Sequence, residues 1–429
     1  MQEIPNPENL IEVGETGAPV PHDPYAALRH RDFLLYLTGG LFSAIGGNMQ
    51  AVAIGWEIYE RTGSAMALGW VGLVQAAPII LLALPFGQLA DRFDRRRLVI
   101  IGMLLSVASS AALAYLSFTN GPVGAFFGVL FVGAIGRALN WPAMSALMPT
   151  LVPREVFGNA VTWNSARFQV ASVAGPALGG LLIAVTHSAG IAYATTAGLT
   201  LLFLVMLVFI PSRPVNRSPE PLSIQSLLAG LGFVWRTKVV LAAITLDLFA
   251  VLLGGATALL PIYAKDILHV GPTGLGWLRA APAIGAMLMA VTMAHRPPLR
   301  QAGRALVWAV IGFGLVTIGF GLSKWFWFSL VMLGASGALD NISVVVRHSL
   351  VQLRTPDEMR GRVSAVNTVF ISCSNELGEF ESGFVAAAFG AVVSAVSGGI
   401  GTILVVLAVT RIWPEIRQLR TLSGDSARR

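Results

Sequence analysis

The chain has 429 residues, of which 55% are hydrophobic and only 12% charged, with a mean hydropathy of +0.71. Water-soluble domains carry about 25% charged residues, so a soluble fold of this length would lack the polar surface to stay dissolved. The formal charge of +7 is spread over short loops between apolar runs rather than one face or tail, which points to membrane topology and lipid contact and not to nucleic acid.

Residues 1–28 are polar, acidic and proline-containing, without a basic-then-apolar pattern. They read as a tail with no cleavable signal peptide, so the first span is expected to direct insertion. Twelve apolar runs follow, at 33–59, 66–90, 96–118, 122–147, 156–186, 189–210, 238–263, 273–294, 304–322, 325–349, 359–388 and 391–412. Each is long enough to cross hydrocarbon roughly 30 Å thick as a helix. The expected class is all-α: a polytopic membrane protein of twelve transmembrane helices. With the amino terminus inside, the outer loops hold only Arg61, Lys265 and Lys324, and most of the 29 basic residues fall in inner loops and tails. By the positive-inside rule both termini are cytoplasmic, and the expected location is the cell inner (plasma) membrane.

After the sixth run comes a proline-rich, aperiodic stretch, Pro211 to Pro221, then an amphipathic one, Ser223 to Lys238. Prolines break helices, so 213–237 reads as a cytoplasmic linker with a surface-lying segment. The expected divisions are a tail at 1–28, a six-helix half at 29–212, the linker, a second half at 238–416 and a cytoplasmic tail at 417–429. The halves repeat. Pro153-Arg154-Glu155-Val156-Phe157-Gly158 returns 203 residues later as Pro356-Asp357-Glu358-Met359-Arg360-Gly361. At that offset Asn164 meets Asn367, Gly175 meets Gly378 and Gly180 meets Gly383, while Leu68-Gly69-Trp70 recurs as Leu275-Gly276-Trp277. Duplicated halves place a substrate pathway at their interface, near the bilayer midplane.

The loop after the second run is crowded with charge: Gly87-Gln88-Leu89-Ala90-Asp91-Arg92-Phe93-Asp94-Arg95-Arg96-Arg97. It resembles motif A of the major facilitator superfamily, with Asp94 where a glycine is usual. Gly175-Pro176-Ala177-Leu178-Gly179-Gly180 in span five resembles the core of motif C, associated with antiporters, though Ala171 replaces an earlier glycine. Arg137 stands where motif B has its arginine, with Asn140 and Trp141 in place of the usual Gln-Gly. Val161-Thr162-Trp163-Asn164-Ser165 and Thr355 to Val363 resemble the branch of enterobactin-exporter-like and macrolide-efflux-like proteins. The resemblance runs from Leu28 to Arg417 and implies two pseudo-symmetric six-helix halves working by alternating access. It also implies a conformational gate in which Gly87, Asp91, Arg92, Arg95 and Arg96 engage the start of span eleven; simple topology signalling is the other reading. Thr355-Pro356-Asp357-Glu358 has the form of a capping box that begins this span.

Span eleven carries the main anomaly. Where span five reads Gly175-Pro-Ala-Leu-Gly-Gly180, it reads Gly378-Glu379-Phe380-Glu381-Ser382-Gly383, preceded by Glu376. Carboxylates at bilayer depth cost about 2.5–3.5 kcal/mol even on insertion scales. Glu376 and Glu379 share a helix face, and Glu381 points away from both. Such a pair suits loading and release of a proton; structural ion pairing with Arg137 or Arg347 and binding of a cationic substrate are the competing readings. Arg137 and Asp340 join them as candidates for proton coupling or substrate contact, with Arg347 two turns from Asp340 on the same face. Asn48, Gln50, Asn140, Trp141, Arg167, Asp247 and Arg279 are cavity candidates, with Gln75, Trp163 and Asn164, although helix-to-helix hydrogen bonds would also account for the amides. Gly175, Gly179 and Gly180 permit close helix approach, and Pro176 bends its helix.

The six histidines show no metal-ligand spacing, no Walker A loop suggests ATP coupling, and no Ser-His-Asp context suggests an enzyme. Cys373, the one cysteine, lies in an apolar run. No cofactor or metal is expected; the proton gradient is the expected energy source, and small molecules, protons and membrane lipids are the expected partners. The sequence leaves the oligomeric state open. The expected function is secondary transport, a proton-coupled antiporter exporting a small amphipathic molecule such as a drug, siderophore or secondary metabolite. An uptake or lipid carrier on the same scaffold, and a non-transporting receptor, are the alternatives.

Overall fold

The computed structural model describes residues 23–211, 224–297 and 301–418. The outer part of the N-terminal tail, most of the proline-rich linker and the end of the C-terminal tail lie outside the described residues. Among the described residues there is no strand. The first half consists of α1 (Arg31–Thr62), α2 (Ala65–Arg92), α3 (Arg95–Phe118), α4 (Val123–Leu147), α5 (Phe157–Thr186) and α6 (Ala189–Val208). A short amphipathic helix, α7 (Ile224–Arg236), precedes the second half. That half consists of α8 (Lys238–Gly254) with its continuation α9 (Leu260–Ile262), then α10 (Gly271–Ala294), α11 (Ala302–Leu322), α12 (Phe326–Arg354), α13 (Asp357–Phe389) and α14 (Ala391–Ile412). Among the described residues ten spans have the length and hydropathy to cross a membrane. Two further helices carry polar groups along their length, Asn48, Gln50 and Glu57 in α1 and Glu376, Glu379 and Glu381 in α13.

Breaks between the spans follow from local chemistry. Gly63 ends α1 at φ 60, and Gly390 separates α13 from α14 at φ 91, backbone that side chains disfavour. Ser64 accepts from the Ala67 N–H at 3.3 Å and caps α2. Asp94 does the same for α3, accepting from Arg96 N at 2.9 Å and Arg97 N at 3.4 Å. The departure from the motif A pattern is therefore a helix cap. The backbone places the N-cap of α13 at Pro356, and the Thr355 hydroxyl donates backwards to Val351 O at 2.6 Å; the Glu358 side chain of the expected capping box lies outside the described residues. Span seven also departs from an unbroken helix. It ends at Gly254, passes a 3-10 turn at Ala256–Leu259 and finishes in a π turn at Tyr263–Ile267. Two adjacent glycines and Pro261, which lacks an N–H, interrupt the ladder there.

Within the first half, α1 packs on α5 and α6, and α3 on α4 and α6; the second half repeats this, with α8 on α13 and α14 and α11 on α12 and α14. Across the halves α2 meets α13 and α5 meets α10. These seams close on glycine, at the end of the molecule opposite the chain termini. A Cβ on Gly276 would stand 2.5 Å from Pro176 O and 3.2 Å from the Gly180 Cα. One on Gly383 would stand 2.5 Å from the Gly69 Cα. The repeat explains the pattern: Gly69 corresponds to Gly276 and Gly180 to Gly383, so each seam is built from the same two motifs with the halves exchanged. Near the termini-bearing end, by contrast, Phe157, Val161 and Phe168 of α5 are exposed, and a Cβ on Gly158 would meet nothing within 4 Å. The described molecule is sealed at its far end.

Because the seam atoms opposite Gly276 are backbone, they cannot yield to a side chain. Gly276→Val should loosen the far-end seal. With Cys373 replaced by serine, a cysteine at Ala65 should then react faster with a membrane-impermeant thiol reagent added from the far side; unchanged labelling would mean that this seam does not hold the seal.

Candidate transport site

The seam positions that differ between the halves carry the charge. Where α5 has Pro176, α13 has Glu379. A Cβ on Gly72 would stand 2.8 Å from the Glu379 Cβ and 2.9 Å from Glu376 O. Glycine at 72 is what lets α2 approach the acidic face of α13. Both carboxylates sit within the electrostatic reach of Arg137 on α4 and Arg279 on α10. Arg137 comes from the opposite half and Arg279 from the same one, so two acids and two guanidinium groups face one another at the junction. Among the described residues none of the four makes a direct ion pair within 4.0 Å. Arg137 instead donates to Gln75 Oε1 at 2.7 Å, and Gln75 donates to Val71 O at 3.3 Å. Gln75 fixes the guanidinium on α2's side of the junction while leaving its charge available. Glu381 stands apart, with Ser382 donating to it at 3.5 Å.

A second cluster lies within the C-terminal half. Arg347 of α12 makes a direct, buried ion pair with Asp247 of α8. Arg347, which the sequence offered as one possible partner of the α13 acids, pairs here with Asp247, itself a cavity candidate. Asp340 lies within electrostatic reach of Arg347 but does not bond it. A cavity of about 190 Å³ opens between α8, α10, α11, α12 and α13, with Arg279 and Asp340 in its wall.

Most of the other cavity candidates make contacts within or between helices. Asn48 donates to Ala44 O of its own helix at 2.9 Å and rests against Gly175. Gln50 accepts from Ser110 of α3 at 2.6 Å. Asn140 is buried against Gly102 of α3, and Trp141 is 65% exposed. Arg167 stacks over Tyr36 at 5.4 Å and fills the space left by Gly40 on α1. Trp163 binds Pro24 O at 3.0 Å and, with Asn159, docks the segment before α1 onto α5. Gly175 and Gly179 face α1, with Gly179 near Met49, whereas Pro176 and Gly180 face α10.

The charged loop divides likewise. Gly87 is buried. Arg95 donates to Ala146 O at 3.1 Å, and Arg96 to Leu207 O at 3.0 Å and Val208 O at 2.8 Å. Both cations thus cover the carbonyl ends of α4 and α6, where the helix dipole favours them. The side chains of Asp91 and Arg92, and of Asp357 and Glu358 opposite, lie outside the described residues.

At the far end stands a set of contacts the sequence did not reveal. Tyr59 of α1 donates to Asp266 of the second half, with Lys265 over the tyrosine ring at 5.8 Å. Beside it Glu57 pairs with Arg61 at 2.5 Å, and Arg61 donates to Gly121 O and Ser117 O. No periodicity joins residues 207 positions apart; only the exchanged seam brings them together.

Two six-helix halves, glycine seams and buried charge at their junction define a transporter of the major facilitator class. The sequence profile of the transmembrane secretion effector family matches residues 22–425, and the chain belongs to that family. Relatives include the enterobactin exporter EntS of Shigella boydii serotype 18, 24% identical over 403 residues, covering 91% of this chain and 94% of that protein. The enterobactin exporter EntS of Escherichia coli O1:K1 / APEC matches at the same identity and coverage. Among solved structures, a bacterial homologue of the human lysosomal transporter Spinster, inward-facing and occupied, aligns with a TM-score of 0.71 at 13% identity, covering 92% of this chain and 99% of that one. The nucleoside transporter NupG aligns at 0.70 and 11% identity, covering 89% and 99%.

Removing one member of a buried ion pair strands the other charge, at a cost of about 3–5 kcal/mol. Arg347→Met should therefore lower the thermal midpoint of the purified protein sharply, and Asp247→Leu/Arg347→Met should recover most of the loss. Equal destabilisation by the single and double variants would mean that the pair does not act as a unit.

Proposed function

We propose that this transporter is a proton-coupled antiporter that exports a small amphipathic molecule from the cytoplasm across the inner membrane. The observation that carries the reading is the junction of Glu376 and Glu379 with Arg137 and Arg279, carboxylates of one half facing guanidinium groups of both. Ionised, the acids attract Arg137 across the seam and favour the arrangement sealed at the far end. Protonated, they lose that attraction, and the balance moves toward opening. A ligand shifts the balance only through a difference in affinity between the two states. A substrate held at the seam and a proton held at Glu376 or Glu379 then alternate, and the gradient drives export.

Charge placement and the exporters among the relatives support this direction. Arg95, Arg96, Arg154, Arg236, Arg304 and Arg354 lie at the termini-bearing end, which the positive-inside rule assigns to the cytoplasm. The sealed end then faces outward and the described conformation is open toward the source of an exported molecule. In the opposite conformation Asp91 and Arg92 are the groups to engage the start of α13, while Arg95 and Arg96 stay committed to the ends of α4 and α6. The relatives named as enterobactin exporters make siderophores one substrate class to examine, in a panel with other small amphipathic molecules.

In proteoliposomes holding an internal pH dye, adding one substrate from such a panel should move protons opposite to it. Glu376→Gln/Glu379→Gln should lower that flux by about tenfold or more, the loss expected when a proton-carrying group is removed. If the double variant transports at the native rate at every pH, the carboxylates are not the coupling site.

A further inference from the structure

The cavity in the C-terminal half has a chemistry of its own. Its wall is largely apolar, with Phe313, Phe320 and Met332, and its polar groups include Thr317, Arg279 and Asp340. The broken end of α8 lines it too, through Val251, Gly254 and Gly255. A helix that stops inside a membrane presents its last carbonyls without intrahelical partners, and the negative end of its dipole with them. Some of these carbonyls are partnered: Ser382 donates to Gly255 O at 3.2 Å, and Thr402 to Ala250 O at 3.4 Å.

The charges around this space do not balance. Arg347 is spent on Asp247, and Arg279 faces the Glu376 and Glu379 carboxylates. Among the described residues Asp340 accepts no hydrogen bond and makes no ion pair within 4.0 Å. An acid with no direct partner, beside a helix carbonyl end, in a pocket with aromatic walls, is matched by an organic cation. The volume of about 190 Å³ is far more than a dehydrated metal ion fills and suits a single aryl or branched alkyl group carrying an ammonium. On this basis we propose that the cavity is a binding subsite for the amine-bearing apolar part of the substrate, with Asp340 as the counter-ion. The proposal rests on the transport reading above and narrows its substrate class to amphipathic amines.

Every wall of the cavity belongs to helices of one half. Rocking of the halves as rigid bodies leaves such a pocket intact, unlike the seam. A site of equal affinity in both states shifts no equilibrium, so it selects the cargo without driving the cycle. Asp340 is then a specificity residue: its loss should raise the KM for amines more than the KM for neutral substrates.

The test is calorimetric titration of the full-length purified protein with phenethylamine, with its neutral isostere 2-phenylethanol, and with sodium chloride. The amine should bind about tenfold or more tightly than the alcohol, as one desolvated charge pair warrants. Asp340→Asn should abolish that preference while leaving the alcohol unaffected, and Val316→Trp, which fills the cavity, should weaken both. Equal binding of amine and alcohol by the native protein would overturn the proposal, and needs no variant to fold. Undiminished amine binding in either variant, or displacement of the amine by sodium at equal concentration, would also overturn it. No proton gradient is involved, so failure of the coupling reading leaves this result standing, and the reverse.

Discussion

A charged side chain in hydrocarbon must meet an opposite charge, and here that constraint operates across the seam between two halves. Glu376 and Glu379 belong to α13, Arg279 to α10 and Arg137 to α4. Held within one half, such a cluster would be a static core. Divided between two, its stability depends on how the halves are placed. The surrounding structure serves that arrangement: Gly72 admits the acidic face of α13, and Gln75 holds Arg137 in position.

The glycine seams make the junction possible. Gly180 against Gly276 and Gly383 against Gly69 are the same contact made twice, with the roles of the halves exchanged. Duplication thus provides two equivalent seams, and the acidic pair stands beside only one of them. On α5 the seam carries Pro176, whose carbonyl abuts Gly276; on α13 the corresponding position is Glu379. One seam is a backbone contact, the other a backbone contact with titratable groups beside it. The Asp247–Arg347 pair lies away from the seam and ties α8 to α12, which keeps the second half a single body.

Much of this was legible in the sequence. Spans such as 391–412 and 189–210 coincide with helices to within about two residues, because apolar length and glycine breaks are local signals. The repeat was legible as well, and it matched Gly180 with Gly383, which take equivalent places in the two seams. Side-chain partners were not. Arg347 stands two turns from Asp340 on one helix, yet it bonds Asp247 of another, since helix rotation decides which acid it meets. Asn48, Asn140 and Arg167 resemble cavity groups by polarity alone, whereas in the fold they fill spaces left by Gly175, Gly102 and Gly40. Asp94 is a departure from a motif in the sequence and a cap of α3 in the structure. Tyr59 and Asp266 carry no sequence signal that joins them.

The central claim is that protonation of the α13 acids shifts the two halves relative to each other. Distance measurement by paired spin labels tests it without knowledge of the substrate. With Cys373 replaced by serine, labels at Val161 of α5 and Val291 of α10, both exposed near the termini-bearing end, report the separation of the halves in membranes of controlled pH. The account predicts a long distance at high pH, a growing population of short distances as the pH falls, and a distribution insensitive to pH in Glu376→Gln/Glu379→Gln. A native distribution that does not change with pH, or a double variant that shifts as the native protein does, would contradict it.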